Sequence, residues 1–134
     1  MSGDNPQVPS LVSETYIPDQ LIAGRFPIVT GQSITVAESA LLARGTVMGQ
    51  VTATGKYIKS VKTAVDGSQN PVGILADQAD ASAADVDNVA LYLTGEFNGN
   101  SLIFDASWSL ATLKPALRPE GIFIRDVVSA APPT

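Results

Sequence analysis

From Ile34 onward the chain is punctuated by turn-forming pairs. Arg44-Gly45, Thr54-Gly55, Asp66-Gly67, Asn70-Pro71 and the triplet Asn98-Gly99-Asn100 interrupt it at short intervals. Glycine adopts backbone conformations that other residues avoid and proline fixes φ, so such pairs end regular structure. The apolar runs between them are too short for a row of amphipathic helices, and they read as short strands. Residues 34–36, 46–52, 56–65, 89–94, 102–104 and 122–128 are the expected strands. The continuous apolar run 72–76 suits a strand covered on both faces. One stretch departs from this pattern. Residues 105–118 carry Trp108, Leu110, Leu113 and Leu117 at helical spacing, with Asp105 or Ser107 as the N-cap. Pro115 lacks a backbone donor, so the expectation is a short helix broken there. The fold class is therefore mainly β, a compact domain of short strands with one short helix.

Residues 1–33 read differently. They hold Pro6, Pro9, Pro18 and Pro27, four of the nine prolines, and no sustained helical period. Proline biases its predecessor toward extended backbone. Tyr16, Ile17, Leu21, Ile22 and Phe26 give the segment more large apolar side chains than a solvated linker carries. An extended arm with spaced anchors, made to lie along another surface, fits both observations. The expected division is an N-terminal arm over 1–33, a β-rich domain over 34–128 and a short C-terminal tail over 129–134.

Composition removes several function classes. The chain has no cysteine and no histidine. Thiolate catalysis, disulfides and the usual zinc sites are excluded, along with the commonest general base near neutral pH. A formal net charge of −5 argues against nucleic acid, whose phosphates require clustered Lys and Arg. No run approaches the ~20 apolar residues of a membrane span. The N-terminus lacks the basic and apolar regions of a secretion signal, so synthesis in the cytoplasm of a host cell is expected. Charged residues make up only 16%, and a surface poor in charge tends to associate.

The motifs that suggest chemistry read better as structure. Between Gly49 and Gly55 stand five residues rather than four, and Tyr57 takes the place of the Ser or Thr of a phosphate-binding loop; a β-turn is the better reading. Asp77, Asp80, Asp85 and Asp87 crowd one loop, but they lack the spacing, central glycine and terminal Glu of a calcium loop. A solvated loop that guards a sheet edge is expected, with no metal and no cofactor. Glu96 and Asp105 are no more a glycosidase pair than any other two of the 13 acidic residues. Lys56, Lys59 and Lys62 form a basic cluster. It suits either edge protection or contact with an acidic partner surface, such as the acidic loop of a neighbouring copy. Trp108 suits a core or a subunit interface.

Three runs in the second half carry a resemblance. They are residues 66–76 (Asp-Gly-Ser-Gln-Asn-Pro-Val-Gly-Ile-Leu-Ala), residues 91–97 (Leu-Tyr-Leu-Thr-Gly-Glu-Phe) and residues 116–124 (Ala-Leu-Arg-Pro-Glu-Gly-Ile-Phe-Ile). In this order, behind a polar N-terminus, they resemble the head decoration proteins of tailed phages, the phage lambda type, over residues 42–128. The resemblance implies a β-clip fold and a homotrimer on the outside of an expanded capsid. It also implies an arm that becomes ordered on the capsid, and the major capsid protein as partner. The arm residues do not follow the family pattern. Tyr16, Ile17, Leu21, Ile22 and Phe26 are expected to contact the coat protein on hydrophobicity, and Trp108, Leu110 and Leu113 to contribute to the trimer interface. The rival reading is a β-clip module, cellular or adhesin-like, that binds a small molecule or glycan.

Overall fold

A computed structural model describes residues 21–24 and 27–125 of the chain. Eight strands appear in the order β1 (Val29–Val36), β2 (Leu41–Leu42), β3 (Val47–Gln50), β4 (Tyr57–Lys59), β5 (Pro71–Leu75), β6 (Ala79–Asp80), β7 (Val86–Asn98) and β8 (Ile122–Arg125). One α-helix, α1 (Leu110–Leu117), lies between β7 and β8. Six strands pair in the order β1-β4-β3-β5-β7-β8, and β1 also pairs with β7. That extra pairing closes five strands into a barrel-like sheet, and closure removes edges that would otherwise invite aggregation. The mainly β class with one short helix is the observed one.

Long β7 organises the sheet. Over its first part it runs antiparallel to β1, from Val36↔Val86 to Val29↔Thr94. Opposite Tyr92 and Leu91 it also pairs with Ile74 and Leu75 of β5. Its last four residues pair in parallel with β8, Gly95↔Ile122 through Asn98↔Arg125. Successive side chains of a strand point to opposite faces. Val47 and Ile74 accordingly join Phe97, Leu113, Leu117 and Ile122 in one core cluster, while Met48 and Leu75 join Val36, Val89 and Leu91 in another. β3 and β5 are thus covered on both sides, as the run 72–76 leads one to expect, although Val72 itself is half-buried. Each such side chain contributes ~1.5–3 kcal/mol of burial.

Close backbone contacts fix the turn chemistry. Gly55 has φ +72° and its N–H donates to the Val51 carbonyl at 2.8 Å, closing the hairpin between β3 and β4. Gly49 lies flat against the loop that follows β4, and a Cβ there would collide with the backbone of Ser68. That loop is held by its own polar groups. Asp66 Oδ1 accepts from the Ser68 N–H at 3.0 Å and hydroxyl at 2.5 Å, and the buried Ser60 hydroxyl donates to the Ser68 carbonyl at 2.6 Å.

Several local expectations shift. The strand foreseen over 56–65 stops at Lys59, because Ser60 is tied to Ser68 and the chain turns at Val61–Ala64. Residues 102–104 form a single bridge, Thr46↔Ile103, instead of a strand. The acidic loop contains β6, which pairs with β2. The N-cap of α1 is Ser109, in a reciprocal capping box with Thr112. Asp105 instead closes the preceding turn, accepting from the Ser107 N–H at 2.9 Å. The helix does not break at Pro115. The carbonyl that Pro115 leaves unserved belongs to Ala111, an exposed residue where water supplies the bond. The boundary drawn at residue 33 falls inside β1, so the sheet begins earlier than the turn signals suggest.

Candidate interaction site

The end of β7 gathers both ends of the described chain. On one side, the segment at Leu21–Ala23 runs antiparallel to it. Ile22 bridges Phe97, the Ala23 N–H donates to the Glu96 carbonyl at 2.9 Å, and the Asn98 N–H donates to the Leu21 carbonyl at 2.7 Å. On the other side, Arg125 of β8 lies opposite the same Asn98. Asn98 is buried, and its Oδ1 accepts from the Asn100 N–H at 3.0 Å, so its side chain caps the turn that follows. Residues 20 and 126 are therefore each joined to a chain that flanks one rigid, internally capped position.

A cleft of about 150 Å³ opens beside this point, lined by Glu96, Lys114, Arg118, Phe123, Ile124 and Arg125. Arg125 Nη2 and Glu96 Oε2 are 2.9 Å apart. Gly24 lies against the Glu96 carboxylate so closely that a Cβ would collide with it. Lys114 and Arg118 stand one turn apart at the C-terminal end of α1, where the helix dipole favours cations. The sequence already held the Lys114–Arg118 spacing. Arg125 and Glu96 join them only through the β7–β8 ladder, which sequence reasoning had no means of seeing.

The opposite end of β7 is acidic. Asp85 accepts from the Glu38 N–H at 2.8 Å, and Asp87 from the Thr35 hydroxyl at 2.8 Å. Lys56 Nζ meets Asp85 Oδ2 at 2.6 Å. The acidic surface that Lys56 finds is thus the loop of its own chain. The hydrogen bond from Lys56, then the one from the Glu38 N–H, holds the Asp85 carboxyl below its usual range, and the bond to Asp85 raises the Lys56 pKa. Asp80 is held low by the Ser82 hydroxyl and then its N–H. Lys62 departs from the strand alternation. Its Nζ lies over the Trp108 ring at 5.8 Å, and its N–H donates to the Ser107 hydroxyl at 2.9 Å. Among the described residues no three acidic groups come together in a way that could hold a metal ion. No described helix is long and apolar enough to cross a membrane.

The candidate contact residues separate. Leu21 is 1% exposed and belongs to the core cluster around Phe97, so its side chain is not available to a coat protein. Ile22 is 38% exposed on the adjacent position. Tyr16, Ile17 and Phe26 lie outside the described residues. Leu113 is fully buried and leaves no surface for a second copy. Trp108 is also a core residue, and its indole N–H has no partner among the described residues. Leu110 is half-buried against the same cluster.

The family model of the bacteriophage lambda head decoration protein D matches residues 10–119. The chain belongs to that family. The match runs through the barrel-like sheet and α1 and ends just before β8. No curated protein matches the chain significantly. The family is one of structural phage head proteins and not of enzymes, and membership places the chain at the phage capsid. The groups that suggested chemistry are otherwise occupied: Glu96 pairs with Arg125, and Asp105 closes a turn.

Proposed function

We propose that this chain is a cementing protein that binds as a homotrimer to the outer surface of an expanded phage head. There it holds neighbouring capsomers of the major capsid protein against the pressure of packaged DNA. Family membership carries the reading. Its physical support is the rigid end of β7, from which the chain leads back toward residues 1–20. A segment anchored at Leu21 can add to strands of the coat protein, where main-chain hydrogen bonds supply affinity and alternating side chains supply register. Three arms on one trimer meet a high local concentration of sites once the first has docked, so weak single contacts sum to tight binding. The arm in this mechanism ends at residue 20, since Leu21 belongs to the core.

Co-sedimentation with undecorated heads tests this. The full chain is expected to pellet with expanded heads and not with unexpanded ones. A version lacking residues 1–20 is expected to remain folded and lose most of its occupancy. Full occupancy by the shortened chain would refute strand addition by the arm, and failure of the full chain to bind expanded heads would refute the reading itself.

A further inference from the structure

The distribution of charge along β7 is lopsided. Three of the eight basic residues, Lys114, Arg118 and Arg125, line the cleft at its far end against the single carboxylate of Glu96. At the near end Glu38, Asp80, Asp85 and Asp87 gather around the first turn of the strand, and Lys56 pairs with one of them. Nine residues separate Asp87 from Glu96, up to roughly 30 Å along a strand. One molecule therefore cannot bring its own acidic end to its own cleft. The cleft is concave and carries side chains suited to carboxylates, since guanidinium groups bind them in a fixed fork.

The geometry points to a second copy of this chain as the occupant of the cleft, with the acidic end of one molecule seated against Lys114, Arg118 and Arg125 of the next. Two acidic ends facing each other repel, and so do two clefts, so the contact is heterologous and joins different patches of neighbouring copies. Such contacts close into a ring when the rotation between copies allows it. The inference deepens the homotrimer of the proposed reading and does not depend on capsid binding.

Zero-length carbodiimide coupling of the full chain tests it, using an equal mixture of 15N-labelled and unlabelled protein, free and bound to expanded heads. The intrachain Lys56–Asp85 pair at 2.6 Å reports that the reaction works. A mixed-isotope peptide joining Lys114 to Asp80, Asp85 or Asp87 is expected in at least one sample. Lys114→Glu with Arg118→Glu should lower its yield about tenfold, and adding Asp80→Lys with Asp87→Lys in the same chain should restore coupling between the reversed patches. A reading without variants comes from salt. The intermolecular product should fall steeply between about 0.05 M and 0.5 M, as expected of contacts between exposed charges. The inference is overturned if the Lys56–Asp85 peptide forms while no mixed-isotope Lys114 product appears in either sample. Coupling of Lys114 to the coat protein instead, or a reversed quadruple variant that fails to recover, also overturns it. Loss of head binding with retained coupling would refute the cementing reading and leave this one standing.

Discussion

Leu21 and Ile22 are adjacent, both apolar, and indistinguishable as docking anchors from sequence, yet they should respond oppositely to truncation. Leu21 is 1% exposed, sits in the cluster with Phe97, and its Cδ1 would lie 3.5 Å from a Cβ placed on Gly45. Leu21→Ala removes a close-packed side chain from a site whose backbone is pinned by the Asn98–Leu21 hydrogen bond, so little collapse can fill the space. A cost of about 3 kcal/mol is expected, near the lower end for Leu→Ala in cores. For a chain of this size that lowers the melting temperature by ~12 °C, at about 4 °C per kcal/mol. Ile22→Ala, at 38% exposed, should cost about 1 kcal/mol or less. Urea denaturation of both variants by circular dichroism measures the difference, and head co-sedimentation at a temperature where both are folded measures binding. Leu21→Ala is expected to bind as the wild type does. A midpoint for Leu21→Ala indistinguishable from wild type, together with weakened head binding, would refute the assignment of Leu21 to the core.

Three further outcomes follow from the same packing. Gly49→Ala should cost about 2 kcal/mol or more by thermal melting, because the new Cβ meets the backbone of Ser68, which the Ser60 and Asp66 bonds hold in place. Ser109→Ala should cost about 1 kcal/mol through loss of the capping box, with Ser109→Asp recovering most of it. Asp66 is held below its ordinary value by the Ser68 hydroxyl, then by the Ser68 N–H; a carboxyl with a lowered folded pKa contributes stability above its unfolded pKa of ~3.9 and loses it as pH falls through the lower folded value. Melting temperature should therefore drop below about pH 4, and Asp66→Asn should flatten that part of the profile; an unchanged slope would refute the role of the Asp66 turn.

The sequence alone determined the class of fold and much of its punctuation. Turn pairs such as Thr54-Gly55 and Asp66-Gly67 act within a few residues, and a glycine at positive φ is needed whatever surrounds it. The run 72–76 showed a strand covered on both faces for the same local reason, that a solvated face would have asked for polar residues. Family membership was also legible, because it rests on the order of such segments. Tertiary structure decided what no local rule reaches. The chain before Ile34 looks like an arm because its prolines and spaced apolar residues have no local partner. Its partner is β7, some sixty to seventy residues away, and pairing from Val29↔Thr94 back to Ile22↔Phe97 turns Leu21 from an anchor into core. The helix start moved to Ser109 because Asp105 was spent on the preceding turn. The cleft shows the same division: Lys114 and Arg118 are one helical turn apart in sequence, but the β7–β8 ladder is what carries Glu96 and Arg125 to them. Side-chain spacing along one element is a local property, whereas the company a side chain keeps is set by which distant strands pair.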